Sequence, residues 1–138
     1  MNEPREGSAA WGEAWLRRRD PAAEAIVDGL REGSADLVDL LMEVLYGKVF
    51  QRPALDPHTK CLLAVACAAA GGMAPQVRYQ SRLALLSGVT AEELYDACFF
   101  VAAFNGLSHA MNAMNLIRAA AAELEQLPTE VPAPEPPA

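Results

Sequence analysis

A chain of 138 residues fits one domain and leaves no room for a second core. Its hydrophobic share of 52% against only 7% aromatic means mostly Ala, Leu and Val, a composition that favours helix over sheet. The net charge is -7 and Arg118 is the only Lys or Arg from Ala91 onward, so the basic face that nucleic-acid binding needs is missing.

The first residues, Met1 to Glu6, lack a signal-peptide pattern, and no apolar run reaches the ~20 residues of a membrane span. A cytoplasmic protein with no membrane partner is expected. Residues 1–9, rich in Gly, Ser, Pro and charge, read as a tail. A first helical stretch follows from about Ala10 to Arg31, with Trp11 and Trp15 on one face and a break at Asp20-Pro21. Ser34 suits an N-cap for the next helix. There Leu37, Leu40, Leu41, Val44 and Leu45 recur at one-face spacing, with Asp36, Asp39 and Glu43 outside, before Gly47 closes the segment.

Asp56-Pro57 is a strong start signal for a helix that reaches Gly71-Gly72. Every residue from Cys61 to Ala70 is apolar, which predicts burial on all sides. Another helix runs from near Pro75 to Gly88, and Thr90-Ala-Glu-Glu93 forms a capping box opening the next, which is apolar without interruption from Ala97 to Phe104. After Asn105-Gly106, Ser108 can cap a final helix to about Gln126, lined by Ala119 to Ala122. Five prolines between Pro128 and Ala138 exclude regular structure there. The expectation is an all-α, compact bundle of about six helices over residues 10–127, flanked by a tail at either end.

Two helices apolar on all sides and an alanine-lined third are hard to bury in one small bundle, since a domain of this size covers only ~70% of its surface on folding. A homo-oligomer with a large apolar interface follows, a dimer or a ring built from dimers.

Three cysteines, Cys61, Cys67 and Cys98, without a CxxC argue against a disulfide framework, a zinc site and a dithiol redox centre. Phosphate-loop, GxSxG, HExxH and metal-cluster motifs are absent, so neither cofactor nor metal is implied. What remains is a few polar residues where the pattern calls for apolar ones. Gln80 shares an inward face with Val77 and Ala84, where its amide either bonds neighbouring backbone or contacts substrate. His109 falls at the first or second position of the last helix, where the helix dipole favours a neutral imidazole, a usable base. His58 and Cys61 lie three apart, close enough for thiolate activation.

The segments Leu45-Tyr-Gly-Lys-Val-Phe-Gln-Arg-Pro-Ala-Leu-Asp56, Thr59-Lys-Cys-Leu-Leu63, Ala84-Leu-Leu-Ser-Gly-Val-Thr-Ala-Glu-Glu-Leu94 and Phe104-Asn-Gly-Leu-Ser-His-Ala-Met-Asn-Ala113 resemble the carboxymuconolactone decarboxylase family over roughly Asp36 to Leu124. The resemblance implies an all-helical trimer or hexamer and either lactone-acid decarboxylation or peroxidase chemistry. In the family's pattern a glutamate and a histidine stand where this chain has Cys61 and Gln80. The peroxidase branch's CxxC is replaced by Met73-Ala-Pro-Gln76, which excludes disulfide-based peroxide reduction.

The expected function is cofactor-free proton transfer on a small organic acid or enolisable carbonyl compound, by decarboxylation, isomerisation or ring chemistry. His109 would move the proton, Gln80 would orient or hydrogen-bond a developing oxyanion, Cys61 would line the pocket or act as a weak acid and Arg52 would hold a substrate carboxylate. The alternative is a non-catalytic ligand-binding or scaffold homologue that has lost the Glu/His pair. A third reading, a thiol-transfer protein, requires Cys61 to be exposed.

Overall fold

The computed structural model describes residues 2–124, whose regular structure is entirely helical. Seven α-helices follow one another: α1 (Ala9–Arg19), α2 (Ala23–Arg31), α3 (Ala35–Leu41), α4 (Pro57–Ala70), α5 (Ala74–Leu86), α6 (Ala91–Asn105) and α7 (Leu107–Glu123). A π-helical stretch, Met42–Val49, continues α3. The stretch from Pro128 to Ala138, expected to be a tail, and the end of the last helix near Gln126 lie outside the described residues. The chain forms two compact units, up to Asp56 and from Pro57 on.

In the first unit the Ser8 hydroxyl accepts from the Trp11 N–H to cap α1. The helix stops where Asp20-Pro21 predicts it, and an Asp20 carboxylate oxygen accepts from the Ala22 N–H at 2.9 Å. Trp15, Tyr46 and Phe50 pack as an aromatic cluster with ring centroids 5.2 to 5.9 Å apart. Arg31 clamps Glu13 through both guanidinium nitrogens at 2.7 and 3.1 Å and also reaches Asp39 at 3.1 Å. The helix beginning at Ala35 differs from its sequence reading. Leu37, at 65% exposure, Leu40 and Val44 face outward, whereas Val38, Met42 and Tyr46 are buried. The segment is apolar on two sides, and the side carrying Tyr46 joins the aromatic cluster. Gly47 does not close the helix but lies inside the π-helical stretch, whose wide turn is marked by the Phe50 N–H donating to the Leu45 carbonyl at 2.9 Å. There α1 crosses so closely that a Cβ on Gly12 would strike the Met42 carbonyl oxygen.

In the second unit α4 packs against α5, α6 and α7, and α7 also packs on α5 and α6. Leu83, Leu94, Tyr95 and Ile117 fill the centre. The end of α4 is a Schellman motif: the Met73 N–H donates to the Ala68 carbonyl and the Gly72 N–H to the Ala69 carbonyl, both at 3.0 Å. The end of α5 repeats it, Val89 to Ala84 at 3.0 Å and Gly88 to Leu85 at 3.2 Å. The capping box at Thr90 and Glu93 forms as its spacing predicts. Helix α7 starts two residues earlier than a cap at Ser108 would place it. Gly106 is its cap, its carbonyl accepting from the Ala110 N–H, so Ser108 lies inside the helix and His109 is its third residue.

Burial on all sides is not achieved by the chain itself. Leu63 and Cys67 on α4, and Phe99, Phe100 and Phe104 on α6, remain exposed. In α6 the stripe Leu94, Cys98 and Val101 takes the core, which turns the phenylalanines away from it.

Candidate functional site

The end of α4, the first turns of α5 and the first ten residues of α7 border a hollow of about 290 Å³ that is open to solvent on one side. Alanines, Val77 and Leu116 make most of its wall. The polar contribution comes from one helix. His109, Asn112 and Asn115 of α7 lie three residues apart, a spacing that keeps successive members adjacent on the helix surface.

The position of the imidazole depends on Gly72. With φ +67, Gly72 occupies the left-handed conformation that ends α4, and a Cβ there would lie 2.9 Å from His109 Cε1 and 3.2 Å from Nδ1. The bare glycine therefore lets the Nδ1–Cε1 edge of the ring settle against the turn. Nε2 is the nitrogen outside that contact. Among the described residues the side chains of His109, Asn112 and Asn115 have no hydrogen-bond partner, the two asparagines being exposed to solvent and His109 partly so, and the wall contains no Lys, Arg, Asp or Glu. A ring nitrogen beside unspent carboxamide donors, against apolar walls, can accept a proton from a bound molecule and stabilise the charge that develops.

The structure brings together only part of the set expected from sequence. His109 lines the hollow. Gln80 is 4% exposed, on the buried face of α5 with Val77 and Ala84, but does not line the hollow. Cys61, 3% exposed, is buried near the start of α4 and is likewise outside the wall. That burial removes the exposed thiol that the thiol-transfer reading needs. Arg52 is an exposed residue of the first unit. His58 points to a different partner, its Nε2 lying 2.8 Å from Glu93 Oε2. Thr90 and His58 together hold the Glu93 carboxyl below the usual carboxylate range, chiefly through the Thr90 N–H. Burial pushes the Cys98 thiol up to about 11.

Three contributors to the hollow escape sequence reasoning: Gly72, Asn112 and Asn115. Asn112 stands in the quoted segment ending at Ala113, three residues after His109, so the helical spacing from His109 was the available signal. Among the described residues no group of three His, Cys, Asp or Glu side chains could hold a metal ion.

Residues 35–119 match the carboxymuconolactone decarboxylase family, a span that includes every residue of the hollow. The chain is 33% identical over 88 residues to an uncharacterized 15.0 kDa protein from the nqo9-nqo10 intergenic region of Paracoccus denitrificans. That match covers 62% of this chain and 66% of that protein. A 4-carboxymuconolactone decarboxylase of Acinetobacter baylyi is 26% identical over 105 residues, covering 76% of this chain and 78% of the relative. With the family's span running from α3 through most of α7, this chain is a member of the carboxymuconolactone decarboxylase family.

Proposed function

We propose that the chain is a cofactor-free enzyme that moves protons on a small enolisable carbonyl compound, with His109 as the base. One observation carries this reading: an imidazole set in the wall of a hollow, seated against Gly72 and without a hydrogen-bond partner among the described residues. Gln80 and Cys61 then belong to the packing of the helices that carry the hollow, and Arg52 is not required. The test is exchange of α-protons for deuterium in a panel of keto compounds and lactones, followed by nuclear magnetic resonance. Exchange should depend on the protein and fall at least about 100-fold in His109→Gln; undiminished exchange in that variant removes the base from the proposal.

Family membership and the exposed cluster Phe99, Phe100, Phe104, Leu107 and Met111 also support a homo-oligomer, a trimer or hexamer. Phe100 and Phe104, at 69% and 83% exposure, give the direct check. Changing both to serine should leave helix content intact and shift sedimentation to a smaller species.

A further inference from the structure

From Ala97 to Ile117 the chain has no Asp, Glu, Lys or Arg, although 21% of it is charged. The stretch spans the second half of α6, the turn at Gly106 and the first half of α7. The core does not hide it. Residues 103–108 are exposed without a break, and Phe99, Phe100 and Met111 add to the same end of the two helices. A monomer in water has no use for a broad apolar face without a single ion on it.

This face and the hollow share a border. On a helix, a residue lies beside those three and four places further on. Leu107 therefore adjoins Met111, Met111 adjoins Asn115, and Ser108 adjoins both Met111 and Asn112, all five being exposed. Asn112 and Asn115 also line the hollow, on the side where it opens to solvent. Whatever rests on Leu107 and Met111 thus reaches that opening.

Charge and area indicate the occupant. Each chain carries a net charge of -7, so two copies repel unless they meet over a neutral surface such as this one. A charged partner would leave its ions without counterparts here. Phe99, Phe100 and Phe104, at 59%, 69% and 83% exposure, leave on the order of 400 Å² uncovered. That is half of the roughly 800 Å² that each partner gives to a stable interface, and Leu107, Met111 and the exposed turn extend it.

We propose that a second copy of the chain seats on this face and closes the hollow, so that the site of a lone subunit is incomplete. The inference rests on the homo-oligomer reading and adds to it where the copies meet and what the contact does. In one subunit, water reaches His109, Asn112 and Asn115 and competes for each hydrogen bond they offer. Beneath a second copy that competition ends, and the same groups act on a bound molecule in a setting of lower dielectric. Assembly thereby supplies the water exclusion that the hollow's own walls do not.

The chain's two histidines make the test direct. Diethyl pyrocarbonate acylates an accessible neutral imidazole, and mass spectrometry of the peptides gives the rate at each ring. His58 is the reference, since it pairs with Glu93 in the first turn of α6, roughly 16 Å along that helix from Phe104. Relative to His58, His109 of the full chain should react at least about 10-fold more slowly where sedimentation shows assembly than after dilution to the smallest species. Phe100→Ser/Phe104→Ser and, separately, Met111→Glu should abolish this protection at every concentration while circular dichroism shows unchanged helix content. If the protein assembles and His109 still reacts as in the dilute sample, closure of the hollow falls and the homo-oligomer stands. If both variants keep assembly and protection, the contact lies elsewhere and the proposal is overturned. A monomer at every concentration removes both readings. A monomer whose His109 is protected only by neutral phospholipid vesicles assigns the face to a membrane surface, which also overturns the second copy.

Discussion

Replacing Gly72 with alanine separates the strain of a left-handed backbone from the displacement of an imidazole. The backbone term follows from φ +67, a conformation that costs an alanine roughly 1–2 kcal/mol. The second term follows from distance. The new methyl carbon would sit 2.9 Å from His109 Cε1, whereas ordinary contact starts at 3.4 Å, so the ring must retreat by about half an ångström. A side chain can swing that far at little cost to stability. Catalysis is less tolerant: an error of about 1 Å can cost ~100-fold in rate, so about 10-fold is expected here. Gly88→Ala supplies the control, because Gly88 ends α5 in the same motif at φ +96 with no atom near its would-be Cβ. Urea denaturation should show a loss of at least about 1 kcal/mol in both variants. Only Gly72→Ala should also shift the His109 ring resonances and weaken turnover or ligand binding. If the two variants match in all these measurements, the imidazole does not rest on Gly72 as described.

Further tests probe the framework. Thr90→Ala removes a cap and should cost about 1 kcal/mol. It also removes part of what holds Glu93 below its ordinary value of 4.5, so the wild type's loss of stability as pH falls below that value should be smaller in the variant. At the alkaline end the sign reverses. Cys98 is raised by burial from 9.0 to about 11, so stability should fall as pH rises through that window, and Tyr95, also raised by burial, steepens the loss above 10. Denaturation of Cys98→Ala across that range should show a flatter decline. Arg31→Ala leaves the mostly buried Glu13 carboxylate without its two-pronged partner and should cost about 1–3 kcal/mol in urea denaturation, with Arg31→Lys recovering only a part.

What the sequence disclosed follows a physical division. Helix ends are local events, so Asp20-Pro21, Asp56-Pro57, Gly72, Gly88 and the Thr90 box mark boundaries that the structure shares to within a residue or two. Helix faces are not local. Residues 37 to 46 carry apolar side chains on both sides, and only the presence of Trp15 and Phe50 selects Tyr46 over Leu40 as the buried side. The hollow is less legible again, because it arises where the end of α4 meets α5 and α7. Gln80 conformed to the expected inward pattern, yet burial in a helix interface and a place on the hollow's wall are different properties. His109 could be singled out as an isolated titratable group near a helix start. Its seat on Gly72 required a contact between residues far apart in sequence.

The crossing of α1 over the π-helical stretch limits how this chain can diverge. Position 12 admits no methyl group because the Met42 carbonyl and the Gly47 backbone nitrogen, both in the π-helical stretch, already occupy the space it would take. Deleting one residue between 42 and 49 would tighten the π-helical stretch to α geometry, rotate every later side chain by about 100° and dismantle the aromatic cluster. A side chain at position 12 would thus demand a different course for the chain at Met42 and Gly47, so two sites far apart in sequence are tied sterically and a change at one cannot be read without the other.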